Sequence, residues 1–184
     1  LILDKTSELW EGQWMSASAT ASKLKIMRIK KHIGAEVSGV DLRQPLDCVT
    51  RQIIHDALIE YVVIVIRDQT FTATEYRQAA EQFGELMEDQ NRMYLADGEP
   101  LVSVLSNRLK ASNGKPAKIG ANATWHTDHT NQECPPKFTG LYAVELPDTG
   151  GETSICNMRA AYEALPREMQ KKLVAMKTAN TLIS

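Results

Sequence analysis

The residues of this chain whose types and spacing could do chemistry are His126 and Asp128, within Trp125-His126-Thr127-Asp128. Successive side chains of an extended backbone alternate faces, so one intervening residue turns His126 and Asp128 the same way and Thr127 the other. An imidazole and a carboxylate presented together supply two legs of the 2-His-1-carboxylate facial triad, which holds non-haem Fe(II) and leaves coordination positions open. The third leg has to come from elsewhere. Four His and nine Asp in 184 residues give about 0.2 such triplets by chance, so the weight of the triplet depends on its surroundings. On the same extended strand His129 faces the opposite side and is not expected to be a ligand.

The elements that must position this pair can be read from periodicity. Lys25–Lys31 and Ala35–Val40 alternate around Gly34 and predict two short strands joined by a turn. Ile53, Ile54, Ala57, Leu58 and Tyr61 recur at helical spacing, with Thr50 as the expected N-cap. Val62–Ile66 is β-branched throughout and predicts a strand buried on both faces. Thr72 is placed to cap a second helix with the stripe Tyr76, Ala79, Ala80 and Phe83, ended by Gly84. His55 beside the first apolar stripe reads as a packing or surface residue.

Further strands are expected at Leu101–Leu105, Phe138–Leu146 and Glu152–Cys156, the last two separated by the turn cluster Pro147-Asp-Thr-Gly-Gly151. Asn157 is expected to cap a helix through Ala164, and Pro166 to open another through Met176. Lys110–Gly120 reads as a long loop leading into the His-x-Asp stretch. Residues 1–23, with the small polar run Ser16–Ser22, are expected to form a poorly patterned amino-terminal extension before a single domain over 24–184. Taken alone, these patterns support only a mixed α and β domain.

Composition excludes some functions. The chain is 43% hydrophobic and 24% charged with a formal net charge of −2 and no Lys or Arg run, so no electrostatic footprint for nucleic acid exists. Cys48, Cys134 and Cys156 are odd in number and widely spaced, which argues against a disulfide framework or zinc finger and predicts a reducing, cytoplasmic setting. The longest apolar run, Tyr61–Ile66, is too short to span a bilayer, so no membrane partner is expected. A homo-oligomer is left open.

Several motifs in register give the triplet its context. Ile33-Gly-Ala-Glu-Val-Ser-Gly-Val-Asp-Leu42, Val65-Ile-Arg-Asp-Gln69 and Phe83-Gly-Glu-Leu86 precede it. Leu146-Pro147, Gly150-Gly-Glu-Thr153 and Ala160-Ala-Tyr-Glu-Ala-Leu-Pro166 follow it. In order and spacing the sequence resembles the taurine and 2,4-dichlorophenoxyacetate dioxygenase family of Fe(II)- and 2-oxoglutarate-dependent oxygenases, from about Met27 onward.

The resemblance implies a mixed α+β, mainly β fold: a double-stranded β-helix (a jelly roll of the clavaminate synthase kind) with flanking helices, incomplete in this chain. It implies Fe(II) held by His126 and Asp128, 2-oxoglutarate as co-substrate with dioxygen, and Thr153 donating a hydroxyl to the distal carboxylate of 2-oxoglutarate. Asn122 matches a position lining the substrate side of the iron in some relatives, although an Asn making a local loop turn fits as well. Lys137 and Arg159 are read as solvated charges. The histidine that meets sulfonate in taurine-specific members has no counterpart in Met87-Glu-Asp-Gln-Asn91, so the expected substrate is a small, anionic organic molecule other than taurine.

The family's third iron-ligating histidine and its 2-oxoglutarate-binding arginine lie in a segment with no counterpart in these 184 residues. The expectation is therefore a fragment of a longer dioxygenase, or missing strands supplied by a partner chain. Two alternatives stand beside it: a non-catalytic remnant acting as a binding or assembly module, and a cupin-like binder of zinc or nickel without 2-oxoglutarate dependence.

Overall fold

The computed structural model describes residues 2–3, 23–88, 95–106 and 125–179. In chain order its elements are β1 (Ile2–Leu3), β2 (Lys25–Arg28), β3 (Ala35–Ser38), α1 (Cys48–Tyr61), β4 (Ile64–Ile66) and α2 (Ala73–Glu81). They are followed by β5 (Leu86–Met87), β6 (Leu95–Ala96), β7 (Glu99–Ser103), β8 (Phe138–Thr139), α3 (Met158–Glu163) and α4 (Arg167–Val174). The chain divides into two compact units, one made of Trp10–Thr70 with Thr153–Ser184, the other of Leu1–Leu9 with Phe71–Glu152.

In the first unit β2 and β3 pair antiparallel, Lys25 opposite Ser38 and Arg28 opposite Ala35, and β3 pairs parallel with β4. A parallel pair needs a crossover, and α1 is that crossover. The sheet turns Ala35 and Val37 inward, fully buried, and α1 contributes Ile54 and Ala57 to the same core. Gly39, at φ +83°, closes β3 against the backbone before β2; a Cβ there would stand 2.1 Å from the Lys23 carbonyl oxygen, so only glycine fits.

The N-cap of α1 is Asp47, not the expected Thr50. The Asp47 carboxylate accepts from the Thr50 backbone N–H at 2.9 Å and from the Thr50 hydroxyl at 2.6 Å, so Thr50 is the buried recipient of the cap. Val62 also departs from expectation: it ends α1 at φ 70°, its N–H bonded to the Leu58 carbonyl, and the strand begins only at Ile64. Among the described residues β4 pairs only with β3, and its residues are half-buried rather than buried on both faces.

Beyond β4, Gln69 accepts from Leu42 N–H and donates to the Val40 and Arg67 carbonyls, pinning the strand's exit. Asn157 caps α3 as expected, accepting from Ala160 N–H while donating to the His32 carbonyl at 2.7 Å. Pro166 opens α4 without a side-chain cap. Gln170 then donates to the carbonyls of Tyr162, Glu163 and Leu165 and closes the α3–α4 corner.

In the second unit, Thr72 and Glu75 form a reciprocal capping box at the start of α2. Arg77 on α2 reaches Glu81 and the buried Glu99 of β7, at 2.6 and 2.7 Å. Hydrogen bonds from Thr74 and Arg77 hold the Glu99 carboxyl below its ordinary range. Phe71, Tyr76 and Tyr142 pack as an aromatic trio, with the Tyr142 hydroxyl accepting from Phe71 N–H at 3.0 Å. A short sheet in the order β5-β1-β8 aligns Ile2 with Met87 and with Thr139.

Three predicted strands come out differently. The strand expected at Leu101–Leu105 is β7, Glu99–Ser103; that expected over Phe138–Leu146 is only β8; and Glu152–Cys156 is neither helix nor strand. An alternating pattern becomes a strand only when a neighbour takes up its backbone N–H and C=O groups, and among the described residues no strand pairs with 140–146 or 152–156. Among the described residues helical residues outnumber strand residues, and the strands form one two-stranded and two three-stranded sheets. No helix among the described residues is long and apolar enough to cross a membrane.

Candidate functional site

The His-x-Asp stretch belongs to the second unit. Trp125, His126 and Thr127 form no strand, and Asp128, His129 and Thr130 enter a turn, with Gln132 N–H bonded to the His129 carbonyl at 3.0 Å. His129 occupies the left-handed region, at φ 51°. The expected extended strand is thus replaced by an approach into a turn, and the reason for setting His129 aside changes from strand alternation to a reversal of the backbone.

His126 Nε2 nevertheless lies 3.4 Å from Asp128 Oδ1. Their side chains are 52% and 38% exposed, so solvent reaches both donors. The other carboxylate oxygen, Oδ2, accepts from the Thr139 hydroxyl at 3.0 Å, and Thr139 is held on β8 by pairing with β1. Beside it, the Lys137 ammonium lies 5.2 Å from the Phe138 ring centroid, so Lys137 is engaged with an aromatic face rather than simply solvated.

Whether such a pair suits a metal ion is a matter of donor chemistry and spacing. Imidazole nitrogen and carboxylate oxygen bind first-row divalent ions at roughly 2.0–2.2 Å, so two adjacent ligands of one ion stand about 3 Å apart. The observed 3.4 Å lies close to that spacing. Two donors are present, and among the described residues no third His, Cys, Asp or Glu joins them.

Thr153 is exposed and falls in the other unit, in a segment without helix or strand. Asn122 lies outside the described residues, as does the loop 110–120. Sequence reading missed Thr139. Nothing in the order of residues links it to Asp128, eleven positions earlier; the link comes from the path between turn and β8.

A model of the family described as "Taurine catabolism dioxygenase TauD, TfdA family" matches residues 25–182. An alkylsulfatase of Acinetobacter baylyi is 35% identical over 159 residues, covering 84% of this chain and 47% of that protein. The alpha-ketoglutarate-dependent sulfate ester dioxygenase of Pseudomonas putida is 32% identical over 170 residues, covering 88% and 52%. The alpha-ketoglutarate-dependent 2,4-dichlorophenoxyacetate dioxygenase of Cupriavidus pinatubonensis is 30% identical over 152, covering 78% and 53%. Among solved structures, a taurine dioxygenase from Burkholderia xenovorans superposes with a TM-score of 0.66 at 29% identity, over 83% of this chain and 51% of that one. The chain spans about half the length of the curated relatives it matches.

Proposed function

This chain belongs to the TauD, TfdA dioxygenase family, whose members use Fe(II), 2-oxoglutarate and dioxygen, and from that premise we propose that His126 and Asp128 are two of the protein ligands of the iron. The whole protein is then a dioxygenase that hydroxylates a small, anionic organic molecule, and residues 24–184 are part of its single jelly-roll domain. What carries this reading is the approach of one imidazole nitrogen and one carboxylate oxygen to 3.4 Å, with both side chains partly exposed to solvent.

When bound, iron with 2-oxoglutarate and dioxygen supplies the oxidising chemistry, one oxygen atom going to the substrate and the other to succinate as carbon dioxide leaves. The chain's own residues supply position. His126 presents an imidazole nitrogen and Asp128 a carboxylate oxygen, a donor set suited to a divalent first-row ion. Thr153 contributes a hydroxyl that donates to a carboxylate of the co-substrate, and Asn122 an amide that orients substrate. The third protein ligand comes from outside the described residues. A small anionic substrate is supported by the relatives named for sulfate esters and for 2,4-dichlorophenoxyacetate, each of which carries a negative group.

The test is anaerobic binding of Fe(II) and 2-oxoglutarate to the full gene product, followed by the visible absorption band of the chelate and by succinate release. His126→Ala and Asp128→Ala are expected to weaken metal binding by more than about 100-fold, beyond what losing an outer partner does. Unchanged binding in both variants would overturn the assignment. The second reading is a non-catalytic binding or assembly module of the same family. Iron binding without succinate formation in the full gene product would favour that module.

A further inference from the structure

We propose that Thr139 is a positioning residue for the candidate iron pair, an inference that rests on the assignment of His126 and Asp128 above. The Asp128 carboxylate has two oxygens with different surroundings: Oδ2 accepts from the Thr139 hydroxyl at 3.0 Å, while Oδ1 lies 3.4 Å from His126 Nε2. A carboxylate on a turn can rotate about its terminal torsion, which is broad and roughly two-fold rather than sharply staggered. One hydrogen bond to Oδ2 removes that freedom and leaves Oδ1 on the side of the imidazole. The hydroxyl hydrogen is committed to Oδ2, so the lone pairs of Oδ1 stay available to a cation.

The backbone carrying Thr139 is itself fixed, since Thr139 pairs with Ile2 across β8 and β1. Asp128 sits in a turn without strand partners. The hydroxyl therefore ties the less constrained ligand to the more constrained strand. Outer partners of this kind orient metal ligands, and their loss costs about 10–100-fold in metal affinity. Thr139 is exposed, so its hydroxyl contributes little to folding, and affinity and stability should separate.

The experiment uses the full gene product with Mn(II) as the probe, reading metal affinity by titration and thermal stability by the melting temperature of the metal-free protein. Thr139→Val keeps the side chain's shape and β propensity but removes the donor; it should lower Mn(II) affinity about 10–100-fold with the melting temperature unchanged. Thr139→Ser restores the donor and should bring affinity back to within a few-fold of the parent. Asp128→Ala is the control for the underlying assignment. Loss of affinity in Asp128→Ala with none in Thr139→Val overturns the positioning role alone. Unchanged affinity in both overturns the assignment of the pair and the positioning role with it. A Thr139→Val affinity loss that Thr139→Ser does not restore, or that comes with a lowered melting temperature, shows a structural role and also overturns the proposal.

Discussion

Two regions of the chain use their apolar residues in opposite ways. Between Ala35 and Val102 lie all the buried hydrophobic residues among those described, and the buried polar groups Thr50 and Glu99 are both hydrogen-bonded there. From Trp125 to Met176 lie eleven of the sixteen exposed large hydrophobic residues among those described, Val144 at 85% and Trp125 at 72% among them. Composition does not separate the regions; the availability of neighbours does. In the first, β3, α1 and β4 are close in sequence and close a β-α-β unit on themselves. In the second, segments with equally apolar patterns find no strand to pair with among the described residues. The candidate metal ligands sit in the second region, where their geometry rests on a turn and one hydroxyl rather than on a packed core.

The largest expected effect tests the first half of that comparison. Ile54, 1% exposed, is enclosed between α1 and the sheet, so Ile54→Ala removes buried methylenes and leaves a cavity. A loss of about 2–5 kcal/mol in chemical denaturation is expected. Val144→Ala in the exposed region should change stability by no more than about 0.5 kcal/mol. Equal effects at the two sites would erase the contrast.

Helix caps sharpen it. Asp47 and Asn157 satisfy the same kind of orphan N–H donors, yet α1 carries the buried Ile54 and Ala57 while α3 buries nothing. Asp47→Ala should lower global stability by about 1 kcal/mol. Asn157→Ala should instead raise hydrogen exchange locally in α3 and leave the denaturation midpoint in place. A shift of the global midpoint in Asn157→Ala would show that α3 is coupled to the core.

The same contrast explains what could be read from the order of residues. The Thr72 cap, the Asn157 cap, the α4 start at Pro166 and the β2–β3 hairpin all depend on residues within a few positions of one another, and all were legible. The cap of α1 was misplaced by three residues because Asp47 and Thr50 are both good capping types, and only the bond between them shows which one accepts. Strands over 138–146 and 152–156 were overcalled because alternation records a potential to pair, not a partner. At the candidate site, the shared side of His126 and Asp128 was anticipated from strand alternation, whereas the backbone brings them together through a turn. Thr139 was invisible for the converse reason: its hydroxyl meets Asp128 through tertiary path alone.

The smallest expected effect concerns a group that the packed side of the molecule leaves unanswered. The Tyr76 hydroxyl is buried without a hydrogen-bond partner among the described residues, and burial pushes its pKa from 10.0 up to about 12. Above pH 10 the unfolded chain would release this proton while the folded chain keeps it. Stability should therefore fall as pH rises from about 10 to about 12, and be unaffected by this group below that window. Tyr76→Phe removes the hydroxyl and keeps the ring against Phe71 and Tyr142. At neutral pH it should be neutral or stabilising by no more than about 1 kcal/mol, because a buried polar atom with no partner is lost and no bond is broken. The variant should also lose the contribution of this group to the alkaline slope. A destabilisation at neutral pH would mean that the hydroxyl has a partner, an ordered water being the chemistry that fits a buried donor in an aromatic pocket, and the unanswered group would join the satisfied interior of its region.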